Sequence, residues 1–218
     1  MTTQLTPRIK LAGIVSFIGA GIAILAQSIA TPLVGDLSGK EVIGKVNDHT
    51  SGMHVALGLD LPVLVFATCA ILFLGHLLDA RRSVAGAVAF LLIFVPFLMS
   101  IPAIIGLDLL ASLTPSPQLI EAWQDSTFFT ATLLTYLLTH IVGYIAAAVV
   151  LFRSRRVPRW TAVALGIWPV IETVSFDAGK PGLLIAYALL LLAYVGCALS
   201  LDRSAPVPAH REAAPTAA

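Results

Sequence analysis

The sequence predicts an all-α, polytopic membrane protein: a bundle of six transmembrane helices with both termini on the cytoplasmic side. Three observations predict it. The chain is 58% hydrophobic and 11% charged, with a mean hydropathy of +0.93, whereas soluble domains carry roughly 25% charged residues. Its apolar residues gather into runs that can cross ~30 Å of hydrocarbon at ~1.5 Å per residue. Its basic residues collect on one side of those runs. The net charge of +1 comes without the basic face or stripe of a nucleic-acid binder, so nucleic acid is not an expected partner. Cys69 and Cys197 lie inside apolar runs and read as small buried hydrophobes.

The runs fall near 10–30, 53–78, 83–106, 127–152, 160–176 and 182–201, the fifth being short. Continuous runs without dyad alternation are helices rather than barrel strands. Arg8 and Lys10 precede the first run, and Arg81 and Arg82 separate the second from the third. Arg153, Arg155, Arg156 and Arg159 fill "RSRRVPR" after the fourth, and Arg203 and Arg211 follow the last. Only Lys40, Lys45 and Lys180 lie on the other side, which puts both termini in the cytoplasm of a multi-pass cell-membrane protein. A cleaved signal peptide ending near "AQSIATP", with Ser28 and Ala30 at the cut, would leave five spans. The run is longer than a usual signal core, and six spans keep the charge asymmetry in every loop, so six is the expectation.

The transmembrane domain covers residues 1–204. The Pro/Ala-rich tail, 205–218, is expected to be disordered. In the first outer loop, Ser38 followed by Glu41 fits a capping box and predicts a short surface helix. In the second, Ser116 and Pro117 suit an N-cap and first helical position, with Trp123 at headgroup level. No internal repeat supports an inverted-repeat transporter.

Two carboxylates interrupt the grease. "HVALGLDLPVLVF" places Asp60 in the second run, and "WPVIETVSF" places Glu172 in the fifth. An ionisable residue at the bilayer centre costs ~2.5–3.5 kcal/mol on insertion scales, and such residues usually face the bundle interior. Counting from the outer ends, Asp60 lies roughly 10 Å deep and Glu172 roughly 6 Å deep. Gln27, Ser100, Thr132, Thr135, Tyr136 and Tyr187 reach a similar level. The hydroxyls alone read as helix–helix glue. Pro62 and Pro169 sit beside the two acids, and Pro96 and Pro102 lie in the third run, each freeing a carbonyl one turn earlier.

Burial and mutual repulsion would let one acid stay protonated while the other ionises, which serves a general acid or a proton-coupled carrier alike. Trp168 is one turn from Glu172 and shares its face. Phe66, Phe94, Phe97, Phe128, Phe129 and Tyr136 could line the same interior, and aromatic faces stabilise carbocations. His49 and His54 with Asp48 match no metal-site spacing. His76 and His140 come without a haem motif. No P-loop, G-x-S-x-G, H-E-x-x-H or G-x-G-x-x-G is present.

Residues 143–160, "GYIAAAVVLFRSRRVPRW", carry Arg153-Ser154 followed by Pro158-Arg159. The stretch, under a tenth of the chain, resembles the cytoplasmic turn between spans four and five of a large group of bacterial six-span membrane proteins of unknown function. It implies topology and no activity. In plan, the chain resembles the small integral-membrane terpene cyclases of fungal meroterpenoid and actinobacterial indole-sesquiterpenoid pathways, which start cyclisation with buried acids. That resemblance implies a membrane enzyme acting on a lipophilic, isoprenoid-type substrate. Asp60 and Glu172 would be the catalytic pair, and Trp168, Gln27, Ser100, Tyr136, Phe66 and Tyr187 would line the substrate site. No metal or organic cofactor is required by this reading. The alternative is a small proton-coupled carrier or a non-catalytic subunit of a larger membrane complex. Oligomeric state is not legible.

Overall fold

The computed structural model describes residues 5–33, 37–113, 116–175 and 179–203. Eight helices and no strand occur among them: α1 (Pro7–Ala30), α2 (Gly39–Asp48), α3 (Thr50–Leu77), α4 (Val84–Leu113), α5 (Pro117–Gln124), α6 (Thr127–Ser154), α7 (Arg159–Ser175) and α8 (Lys180–Arg203). Five of them, α1, α3, α4, α6 and α8, are long and apolar enough to cross a membrane. α7 falls on the fifth predicted run but has 17 residues, shorter than the other five. α4 runs seven residues past the predicted end at 106. The proposed tail lies outside the described residues.

The long helices pack in a closed order: α1 on α3, α3 on α4, α4 on α6, α6 on α7, α7 on α8 and α8 back on α1. α2 and α5 pack on each other and against the end of α4. Their small core joins Val42, Val46 and Ile120 to Met53 of α3 and Ala111 of α4. The main core runs between the long helices, with Phe17, Leu74, Leu151, Leu165, Leu190 and Tyr194 all under 2% exposed. Outward-facing positions are apolar too: Leu61, Leu138, Ile185 and Val174 are 63–72% exposed. That surface suits lipid rather than water.

Local chemistry starts and stops the helices. Ser38 and Glu41 form the predicted capping box of α2. Ser116 caps α5 through the Leu119 N–H, with Pro117 in the first turn. Ser126 accepts from the Phe129 N–H at 3.1 Å to open α6. α6 ends at Arg155, which takes a left-handed φ of 53°. Two basic side chains then pin opposite ends of the bundle. Arg156 donates to Asp79 Oδ2 at 2.8 Å in the α3–α4 turn. Lys180 Nζ donates to the carbonyls of Ile29 and Thr31, at 2.6 and 3.1 Å, at the C-terminus of α1.

Pro62, Pro96, Pro102 and Pro169 all sit inside helices. Pro96 cannot donate to the Leu92 carbonyl one turn earlier. α6 closes on that carbonyl through Gly143, where a Cβ would lie 2.9 Å from Leu92 backbone atoms. Gly143→Val is therefore expected to force α4 and α6 apart. It should lower stability by about 1–3 kcal/mol, read from thermal unfolding in detergent. An unchanged midpoint would mean that the close approach does not exist in solution.

Outside the spans, the Ser38 hydroxyl and backbone N–H bond to Glu41 and hold its carboxyl below the ordinary value of 4.5. A lowered carboxyl favours the folded form above that value and loses the advantage as pH falls through its own, lower one. Exchange of the α2 amides, corrected for intrinsic rates, should thus accelerate in acid. In Glu41→Gln that acceleration should vanish; its persistence would place the pH response elsewhere.

Candidate functional site

Glu172 stands on α7, flanked by α6 and α8. Tyr187 of α8 donates its hydroxyl to Glu172 Oε1 at 2.7 Å. His140 of α6 places Nε2 3.1 Å from Glu172 Oε2. The side chains of His140 and Glu172 are 8% and 16% exposed. Either the imidazole donates to an ionised carboxylate or a protonated carboxyl donates to the imidazole, and both states keep the bond.

Aromatic rings enclose the imidazole. Tyr136 and Tyr144, one turn before and after it on α6, have ring centroids at 4.5 and 4.9 Å. Trp168, one turn before Glu172 on α7, meets it edge-on at 4.7 Å with an interplanar angle of 85°. Trp168 is 3% exposed, and its Nε1 has no hydrogen-bond partner among the described residues. The file continues along the bundle: the Tyr144 hydroxyl lies 3.5 Å from that of Tyr194 on α8. Tyr136, His140 and Tyr144 together span about 12 Å of α6 at ~1.5 Å per residue.

Asp60 belongs to a second cluster. Gln27 of α1 donates to Asp60 Oδ1 at 2.9 Å. Asp60 is 6% exposed, and its Oδ2 has no partner among the described residues. Asp108 on α4, 7% exposed, lies within electrostatic reach of it. α3 packs between α1 and α4, and α7 between α6 and α8, so the two acids stand on opposite sides of the helix ring.

The structure therefore joins Glu172, Tyr187, Trp168 and Tyr136 around His140, and joins Asp60 to Gln27. It does not bring Asp60 and Glu172 into hydrogen-bonding contact. Ser100 is buried and donates to the carbonyl of Phe97 on its own helix at 2.8 Å, a helix back-bond. Phe66 packs on Gly19 of α1. Cavities at the surface include an acidic one near Glu41 and Glu121, one near His49 and Lys180, and an apolar groove between α6 and α7. Neither Asp60 nor Glu172 lines these cavities.

Sequence reasoning weighed His140 only as a haem ligand and passed over Tyr144, Tyr194 and Asp108. The "YLLTHIVGY" spacing, with Tyr136, His140 and Tyr144 on one helical face, is the signal that points to the first two. No protein-family model, curated protein or solved structure matches the chain.

Proposed function

We propose that the protein is a proton-coupled carrier of the cell membrane, or the proton-handling subunit of one, working through Glu172, His140 and Tyr187. The carrying observation is the fully engaged carboxylate: one oxygen bonded to a phenol, the other to an imidazole, between three helices. Chains of acids and histidines inside membranes mark proton paths in pumps and transporters. A second polar pair, the phenols of Tyr144 and Tyr194, lies next along the bundle, with the Tyr144 ring against the imidazole. A proton can pass between Glu172 and His140 without changing their net charge, so both states are tolerable in a poorly solvated site.

The chain crosses the membrane six times in this reading, with its arginine-rich ends cytoplasmic. Arg156 contacts the α3–α4 turn, whereas Lys180 contacts the C-terminus of α1, at the other end of the bundle. α7 links those two ends, which supports a sixth crossing despite its length. Thiol labelling of single cysteines on the loops tests this topology.

Proton flux into proteoliposomes tests the site itself. Glu172→Gln keeps the shape of the side chain but cannot exchange a proton, so proteoliposomes of that variant should lose the flux, and Tyr187→Phe should reduce it. If the flux of Glu172→Gln is unchanged, the proposal fails.

One observation favours a second reading. Four aromatic rings lie around the acid–imidazole pair, and such faces stabilise positive charge. That suits acid-initiated cyclisation of a lipophilic, isoprenoid-type substrate by Glu172. Membranes given a polyprenyl epoxide would then yield a cyclic product that Glu172→Gln membranes do not.

A further inference from the structure

The outer wall of α6 and α7 carries a groove of about 460 Å³. Val149 and Phe152 of α6 and Val163 and Ile167 of α7 form its sides. Each is 43–47% exposed. Ala148 and Gly166 form its floor, where a Cβ on Gly166 would lie 2.9 Å from that of Ala148. The groove is therefore a seam between two closely packed helices, open to the lipid side.

One end of the seam is basic. Arg153 lines the groove itself. The Arg159 guanidinium sits 5.4 Å from the centroid of the Phe152 ring, at the same end. Trp160, 49% exposed, lies beside it, as aromatic residues do at a membrane–water interface. Arg156 turns away to Asp79, whereas Arg153 lines the groove and Arg159 stays next to it, over the ring of Phe152. From Arg153 to Ile145 the groove extends eight residues, about 12 Å. That is less than half of the ~30 Å hydrocarbon core, so the groove lies within one leaflet.

We propose that this seam binds one anionic phospholipid, with an acyl chain along Val149, Val163 and Ile167 and its phosphate against Arg153 and Arg159. The apolar trough sets the need for a chain. The two guanidinium groups at its mouth set the need for negative charge, since each can pair with phosphate oxygens in a fork. A neutral lipid satisfies only the first requirement, and a soluble phosphate only the second. The site is independent of Glu172. It rests on the six-crossing reading only in placing α7 in the bilayer beside α6, which the loop-labelling experiment tests separately.

Native mass spectrometry of the full chain from detergent decides the matter. The probes are phosphatidylglycerol and phosphatidylcholine with identical chains, and glycerol 3-phosphate. Phosphatidylglycerol should be retained preferentially, and Arg153→Gln should reduce the preference about fivefold, the effect of one basic residue at an anionic surface. Val163→Trp, which fills the trough from an exposed position, should abolish retention. Leu138→Trp, on α6 but outside the groove and 68% exposed, should not. Equal retention of the two lipids would reduce the seam to ordinary lipid contact. Unchanged retention in Val163→Trp, equal binding of glycerol 3-phosphate, or dimers in place of lipid adducts would overturn the proposal.

Discussion

Truncating Glu172 to alanine is expected to lower stability by about 3–5 kcal/mol, while Glu172→Gln should cost far less. Alanine leaves the Tyr187 hydroxyl and His140 Nε2 facing nothing in a site where the imidazole is 8% exposed. Each buried polar group stranded in this way costs about 1–3 kcal/mol, and the missing side chain leaves a gap besides. Glutamine keeps an oxygen for Tyr187. It also presents an amide N–H to His140 Nε2, provided the imidazole carries its proton on Nδ1. Tyr187→Phe removes the donor at 2.7 Å from Oε1 and should cost about 1–3 kcal/mol. Thermal unfolding of the wild type, Glu172→Ala, Glu172→Gln and Tyr187→Phe in one detergent orders the four. A Glu172→Ala protein as stable as the wild type would show that the three side chains do not form one network.

The split between a tolerated glutamine and a lost proton flux separates function from folding. A carboxylate kept only for packing would be replaced by its amide without functional cost. One that takes and gives a proton cannot be, because an amide in water is neither a usable acid nor a usable base.

The five long apolar helices were legible because length and hydropathy are one-dimensional properties, and a helix in lipid must satisfy its own backbone. α2 and α5 were legible for another local reason: Ser38, Glu41, Ser116 and Pro117 are capping chemistry, visible within four residues. α4 continues past the end of its apolar run at 106 and carries Asp108 inside the helix, where it is buried. Depth was readable by counting, which is how Asp60 and Glu172 came to be compared. Azimuth was not. The long helices carry apolar side chains on their exposed and buried sides alike, so they lack the two-sided pattern that would fix rotation. The packing order of six helices then separates α3 from α7 and gives each acid its own neighbours. His140 was within reach of sequence reasoning only through Tyr136 and Tyr144, and its pairing with Glu172 depends on α6 and α7 being adjacent.

Asp60 leads to an expected result of opposite sign. The double variant Asp60→Leu, Gln27→Leu should be more stable than the wild type by about 1–4 kcal/mol. Asp60 is 94% buried by its 6% exposure. Its Oδ1 takes the Gln27 amide at 2.9 Å, and its Oδ2 has no partner among the described residues. A second carboxylate, Asp108, lies within electrostatic reach. A buried polar atom without a partner is a net cost. Asp60→Leu alone removes that cost but strands the Gln27 amide, at about 1–3 kcal/mol, so the single variant should be close to neutral. Replacing both partners with leucine removes the polar pair as a unit, which is the case most often neutral or stabilising. Unfolding midpoints of the two singles and the double close the cycle, with an interaction energy above about 0.5 kcal/mol expected for a real contact. A double variant less stable than the wild type would make Asp60 a structural acid whose carboxylate is well satisfied. A more stable one means that the chain carries Asp60 at the expense of stability, and an acid held inside a membrane on those terms is a functional one.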